Sequence, residues 1–89
     1  MAIVTVVGEI DMTNVGALSG VLGDIVRKDP EQVIVDLAAV SFLDSSAIHA
    51  FVRTRHELPG TCPVVLRSPQ SQARRIFELT GLDSLCLVD

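Results

Sequence analysis

Asp44, Ser45 and Ser46 put one carboxylate and two hydroxyls where a strand gives way to a helix. Before them the apolar run Val33-Ile34-Val35-Asp36-Leu37 reads as a strand; after them Ile48, Phe51 and Val52 keep the i, i+3, i+4 spacing of one helix face. Asp and Ser are favoured at helix N-caps because a short side-chain oxygen accepts from the unpaired amides of the first turn. Such an end carries partial positive charge and free N–H donors, so it accommodates an anion, here a phosphate on Ser45. A cap alone is the bland explanation, worth about 1 kcal/mol, and most residues of these types do nothing more. Here the polar side chains exceed what one cap needs, and other acidic turns are expected at the same edge.

Enzymatic readings find little support. Ser45, His49 and Asp44 supply the parts of a hydrolase triad, but His49 lies four residues along the same helix. No Gly-x-Ser-x-Gly elbow accompanies them. The chain has no Gly-x-x-x-x-Gly-Lys-Ser/Thr loop for nucleotide phosphates and no metal-ligand spacing of Cys and His. Glu9, Asp11 and Asp44 invite comparison with a magnesium-binding, phospho-accepting aspartate site. Glu9 and Asp11 are not adjacent, however, and the third strand ends in Arg67 rather than lysine. No cofactor and no metal is expected.

The elements that must position these groups follow from pattern. Ile3-Val4-Thr5-Val6-Val7 is a β-branched run stopped by Gly8. A helix beginning near Thr13 carries the stripe Val15, Leu18, Leu22, Ile25 and Val26 and ends at Asp29-Pro30. The strand Val33–Leu37, nearly all apolar, reads as buried on both faces. A second helix runs from Ser45 to about Glu57, before the turn Pro59-Gly60. Pro63 to Leu66 is a third strand. Ser68-Pro69 opens a third helix that buries Ala73, Ile76, Phe77 and Thr80 and stops at Gly81; Leu85 to Val88 is the last strand. The order βαβαβαβ implies right-handed crossovers and parallel neighbours. Strand-to-helix turns then open on one edge, so Glu9, Asp11, Asp44, Ser45, Ser46 and Ser68 are expected on one surface.

Composition bounds the rest. Eighty-nine residues make a single domain, 1–89, and 48% hydrophobic residues with three Phe and no Trp or Tyr imply an aliphatic core. A net charge of −4 disfavours nucleic acid and anionic membranes. No apolar stretch approaches a membrane span and no signal peptide is evident, so a cytoplasmic location is expected. Cys62 and Cys86 read as reduced core residues in strands.

Gly8-Glu9-Ile10-Asp11, the strand around Val33 to Leu37 and Phe42-Leu43-Asp44-Ser45-Ser46 together resemble the bacterial anti-sigma factor antagonists of the STAS domain family. Ile76 to Leu82 is similar to that family's penultimate helix and its exit, and the match runs from about Thr5 to the C-terminus. The resemblance implies an α/β fold with a mostly parallel four-stranded sheet and about three helices, without the usual extra N-terminal strand and C-terminal helix. It implies that Ser45 is the phosphorylated serine, and that Asp11, Asp44 and Ser46 lie in the switch region or binding face. Glu9, Ala47 and His49 join them as candidate partner contacts. The partner so implied is an anti-sigma factor that is also an ATP-dependent serine kinase: unmodified antagonist binds it and frees the sigma factor, and phosphorylated antagonist does not. Where many members have Gly-Leu-Gly after the serine pair, this chain has Ala47-Ile48-His49, which points to an unusual partner. A missing strand would leave a sheet edge open to self-association. Two alternatives stand beside this reading: a STAS scaffold or accessory subunit outside sigma control, and a small nucleotide-binding protein.

Overall fold

The computed structural model describes residues 1–80 and 85–88. Its elements are β1 (Ala2–Ile10), α1 (Val15–Arg27), β2 (Val33–Leu43), α2 (Ser45–Glu57), β3 (Val64–Arg67), α3 (Ser71–Thr80) and β4 (Cys86–Val88). Among the described residues the strands form one parallel sheet in the order β1-β2-β3-β4. Consecutive strands are neighbours, so right-handed crossovers carry every connecting helix to the same side. Buried residues agree: Leu18 and Leu22 of α1, Phe51 of α2 and Phe77 of α3 share one core cluster with Val4, Val35 and Leu66, which align across the sheet.

The opposite side is left uncovered by the described residues. Ile3, Ile34, Val65 and Cys86 form a row across all four strands; Ile3 and Cys86 are exposed, and Ile34 and Val65 half-buried. Burial of β2 on both faces is therefore not found, and Cys86 is not a core residue. Cys62 is buried as expected, though in the turn ahead of β3 rather than in a strand. β1 is an edge strand, with Ile3 and Val7 exposed along it.

Both early strands outrun their expected ends. β1 passes through Gly8, whose φ of +92° is tolerated because glycine lacks a Cβ, and continues to Ile10. β2 continues past Leu37 to Leu43 by bulging: it advances from Asp36 to Ala39 while β1 advances from Thr5 to Val7. It advances again from Val40 to Phe42 while β1 moves only from Gly8 to Glu9. Each extra residue breaks the period-two pattern by which the strand would otherwise be recognised.

The helices follow their apolar stripes. α1 buries Leu18 and Leu22, with Val15, Ile25 and Val26 packed against the cluster. In α2, Ala47, Ile48, Ala50 and Phe51 are buried, and the buried Thr54 hydroxyl donates to the Ala50 carbonyl at 2.9 Å. α3 starts at Ser71, not at Pro69, because Ser68 takes a left-handed φ of 57° while its N–H donates to the Val88 carbonyl at 2.7 Å. Ala73 and Phe77 are buried and Ile76 partly so, but Thr80 is exposed, its hydroxyl turned back onto the Ile76 and Phe77 carbonyls. The expected stop at Gly81 lies outside the described residues.

Phe51 joins the layers: it is 1% exposed, and its ring centroid lies 6.2 Å from that of Phe77 at an interplanar angle of 44°. Truncation there removes both a large apolar contact and an aromatic pair. Phe51→Ala is expected to lower the unfolding free energy by about 3–5 kcal/mol, read as a reduced midpoint in urea denaturation.

Candidate functional site

The carboxyl ends of β1 and β2 stand side by side, and the turns that leave them are tied together. The Asp44 N–H donates to the Ile10 carbonyl at 3.1 Å, carrying the parallel ladder one step beyond the Ile10–Leu43 pair. Both turns then use the same device. The Asp11 carboxylate accepts from the Thr13 N–H at 2.9 Å and from the Thr13 hydroxyl at 2.5 Å. The Asp44 carboxylate accepts from the Ser46 N–H at 2.9 Å and from the Ser46 hydroxyl at 2.5 Å, from an extended backbone (φ −110°, ψ −173°) that caps α2. Asn14 braces the first turn, accepting from the Asp11 N–H at 2.9 Å and donating to the Glu9 carbonyl at 2.7 Å.

One polar group is left over. Ser45, the first residue of α2, is exposed, and among the described residues nothing hydrogen-bonds its hydroxyl. Ser46 beside it is committed to Asp44. The two hydroxyls therefore differ: one holds the cap and one is free to react.

Both carboxyl groups have lowered pKa values. The Ser46 hydroxyl, above all, holds the Asp44 carboxyl below its ordinary value; burial opposes this, and the Ser46, Ala47 and Met12 amides reinforce it. Asp11 is likewise lowered, first by the Thr13 hydroxyl and then by the Thr13 amide, against burial and the neighbouring charge of Asp44. The Asp44–Ile10 backbone bond makes the two acids near neighbours, and with both carboxyls lowered they are ionised together at neutral pH.

The expected residues divide accordingly. Asp11, Asp44, Ser45 and Ser46 come together, and Glu9 is exposed beside them, paired in register with Phe42. His49 is exposed on the next turn of α2. Ala47 is a correction: it is fully buried beneath the helix start, so its side chain offers no contact surface. Ser68 is a second correction. β3 ends at Arg67, which pairs with Asp36, seven positions before Leu43, so the turn at Ser68 opens short of the site. Two apolar neighbours escaped sequence reasoning, Met12 (78% exposed) and Phe42 (41% exposed). Phe42 carried a signal, since two bulky neighbours in one strand, Phe42 and Leu43, cannot both face the core. Among the described residues no group of three or more His, Cys, Asp or Glu could hold a metal ion, and no helix is long and apolar enough to cross a membrane.

A family model, the STAS domain, matches residues 1–88. The chain belongs to the STAS domain family. Within it, the chain is 30% identical over 83 residues to the anti-sigma-F factor antagonist RsfB of Mycobacterium tuberculosis, a match spanning 93% of this chain and 68% of that protein. A solved anti-sigma factor antagonist from Mycobacterium paratuberculosis is 36% identical and superposes with a TM-score of 0.86, covering 97% of this chain and 74% of that one. The unphosphorylated form of the antagonist SpoIIAA superposes with a TM-score of 0.82 over 98% of this chain and 77% of its own; at 20% identity it speaks for the shared fold.

In this STAS domain the depressed Asp44 pKa stabilises the folded form at pH values above 3.8, and that contribution is lost as pH falls through the lowered value. Ser46→Ala removes the leading cause. Carbon-detected NMR titration is expected to show the Asp44 midpoint moving up towards the ordinary aspartate value in this variant, with that of Asp11 far less affected.

Proposed function

We propose that this STAS domain is an anti-sigma factor antagonist with Ser45 as its switch. Its unmodified form binds an anti-sigma factor with serine kinase activity and so frees a sigma factor; phosphorylation of Ser45 ends that binding. The observation that carries the reading is the free, exposed Ser45 hydroxyl on a capped helix end, with Asp44 and Asp11 ionised around it. The names of RsfB and of the Mycobacterium paratuberculosis protein support it.

The chemistry belongs to the partner. The kinase transfers the terminal phosphoryl group of ATP to Ser45 Oγ, the hydroxyl proton passes to a base on the kinase, and ADP leaves. This chain contributes an acceptor, works in the cytoplasm and catalyses nothing. Its docking surface comprises Glu9, Asp11, Asp44, Ser46 and His49, with Met12 and Phe42 as apolar anchors between charged neighbours. A phosphate adds about −1.5 to −2 charges and three acceptor oxygens. The α2 terminus offsets part of that charge, while a partner shaped to meet the unmodified face encounters a bulky dianion.

The test uses the anti-sigma-F factor that RsfB antagonises, with ATP and magnesium. Mass spectrometry is expected to place one phosphate on Ser45, and calorimetry to show the phosphorylated protein binding at least about tenfold more weakly, the equivalent of ~1.4 kcal/mol. Ser45→Ala is expected to bind as the wild type does and to stay bound when ATP is added. Phosphate on another residue, or release of Ser45→Ala by ATP, contradicts the reading. Tight binding of ATP or GTP by the isolated domain favours a nucleotide-binding protein instead.

A further inference from the structure

β2 outruns its inner neighbour. It pairs with β3 only over Val33–Asp36, whereas its pairing with β1 continues to Leu43. The overhang leads through Asp44 to Ser45, and its backbone groups still need partners. Side chains take over from β3. At the break, the Asp36 carboxylate accepts from the Ala38 N–H at 3.0 Å and from Arg67 at 3.2 Å. Beyond it, Gln70 Nε2 donates to the Ala38 carbonyl at 2.8 Å. Gln72 does more: its Oε1 accepts from the Leu43 N–H and its Nε2 donates to the Leu43 carbonyl, each at 2.9 Å. One side-chain amide thus satisfies both backbone groups of Leu43, as a paired strand would.

Leu43 is fully buried and immediately precedes Asp44. The turn is therefore gripped on two sides, by β1 through Ile10 and by α3 through Gln72. We infer that Gln72 is a positioning residue: its double bond to the Leu43 backbone holds the Asp44–Ser45 turn so that the Ser45 hydroxyl is presented in line for phosphoryl transfer. This rests on Ser45 being the acceptor. Phosphoryl transfer depends almost wholly on placement and electrostatics, and a displacement of about 1 Å can cost on the order of a hundredfold in rate. Gln70 is the natural control, because it makes the same kind of bond five residues farther from the turn.

Gln72→Met and Gln70→Met, each close in shape to glutamine, separate placement from stability. In the free protein, amide hydrogen exchange at Leu43 is expected to quicken at least about tenfold in Gln72→Met and to stay near wild type in Gln70→Met. With the anti-sigma-F factor and ATP, below the melting temperature of every variant, Gln72→Met is expected to lower kcat at least about tenfold with KM within about threefold. Gln70→Met is expected to leave kcat unchanged. If Gln72→Met lowers only the melting temperature, or if both methionine variants slow transfer equally, Gln72 does not position the turn. A wild-type protein that takes no phosphate on Ser45 defeats the acceptor reading; exchange at Leu43 still decides whether Gln72 holds the turn.

Discussion

The bond from the Asp44 N–H to the Ile10 carbonyl, 3.1 Å long, closes the β1–β2 ladder at the moment both strands end. The site depends on that closure. Two loops leaving parallel strands would otherwise diverge towards their own helices, and their carboxylates with them. Here the ladder delivers Asp11 and Asp44 at one level, and each acid then folds its own turn around a hydroxyl two residues on, Thr13 and Ser46. The repeated device binds both hydroxyls that serve structure and leaves the Ser45 hydroxyl unengaged.

Competing electrostatic effects decide what a phosphate does there. A negative group at a helix N-terminus gains about 0.3–1 kcal/mol from the helix dipole at an exposed position. Repulsion from Asp11 and Asp44 acts through water and is screened over roughly 8–10 Å at physiological salt. The two are opposite in sign, and both act at an exposed, solvent-screened position. A docked partner excludes the water that screens the repulsion, so the same charges weigh much more heavily across the contact. A switch at Ser45, as proposed, would therefore work between molecules.

Local features were legible in the chain where physics is local. α2 was bounded to within a residue because Asp44 caps it, Ile48, Phe51 and Val52 mark its face, and Pro59 bars any continuation. The βαβαβαβ order and the α1 stripe were equally plain. The overhang of β2 was not: two bulges against β1 interrupt its alternation, so the run after Leu37 looked like loop. Ser68 misled because a serine before a proline resembles a helix start, whereas its left-handed backbone makes a turn that ends at Val88. Ala47 was counted among the contacts because many family members have a glycine there, but helical rotation turns it inward. Gln72 could not be read at all. It meets Leu43 across a separation of 29 residues, and no local pattern encodes a side chain that stands in for a strand.

The packing directly under the switch argues for its type. Ala47 and Ile48, two and three residues after Ser45, are buried, and Phe51 one turn further on is sealed against Phe77. Close-packed interiors of this kind resist gradual deformation, and repacking them costs several kcal/mol. For a phosphate on an exposed hydroxyl at the rim, the helix-end interaction of about 0.3–1 kcal/mol is small beside that cost. Under the proposed switch the platform would stay as it is and the surface would change: the same backbone would present a small neutral hydroxyl in one state and a dianion in the other. For a protein that must bind in one state and let go in the other, a rigid platform makes the two states differ by charge and bulk alone, which a complementary partner can discriminate without either fold being disturbed.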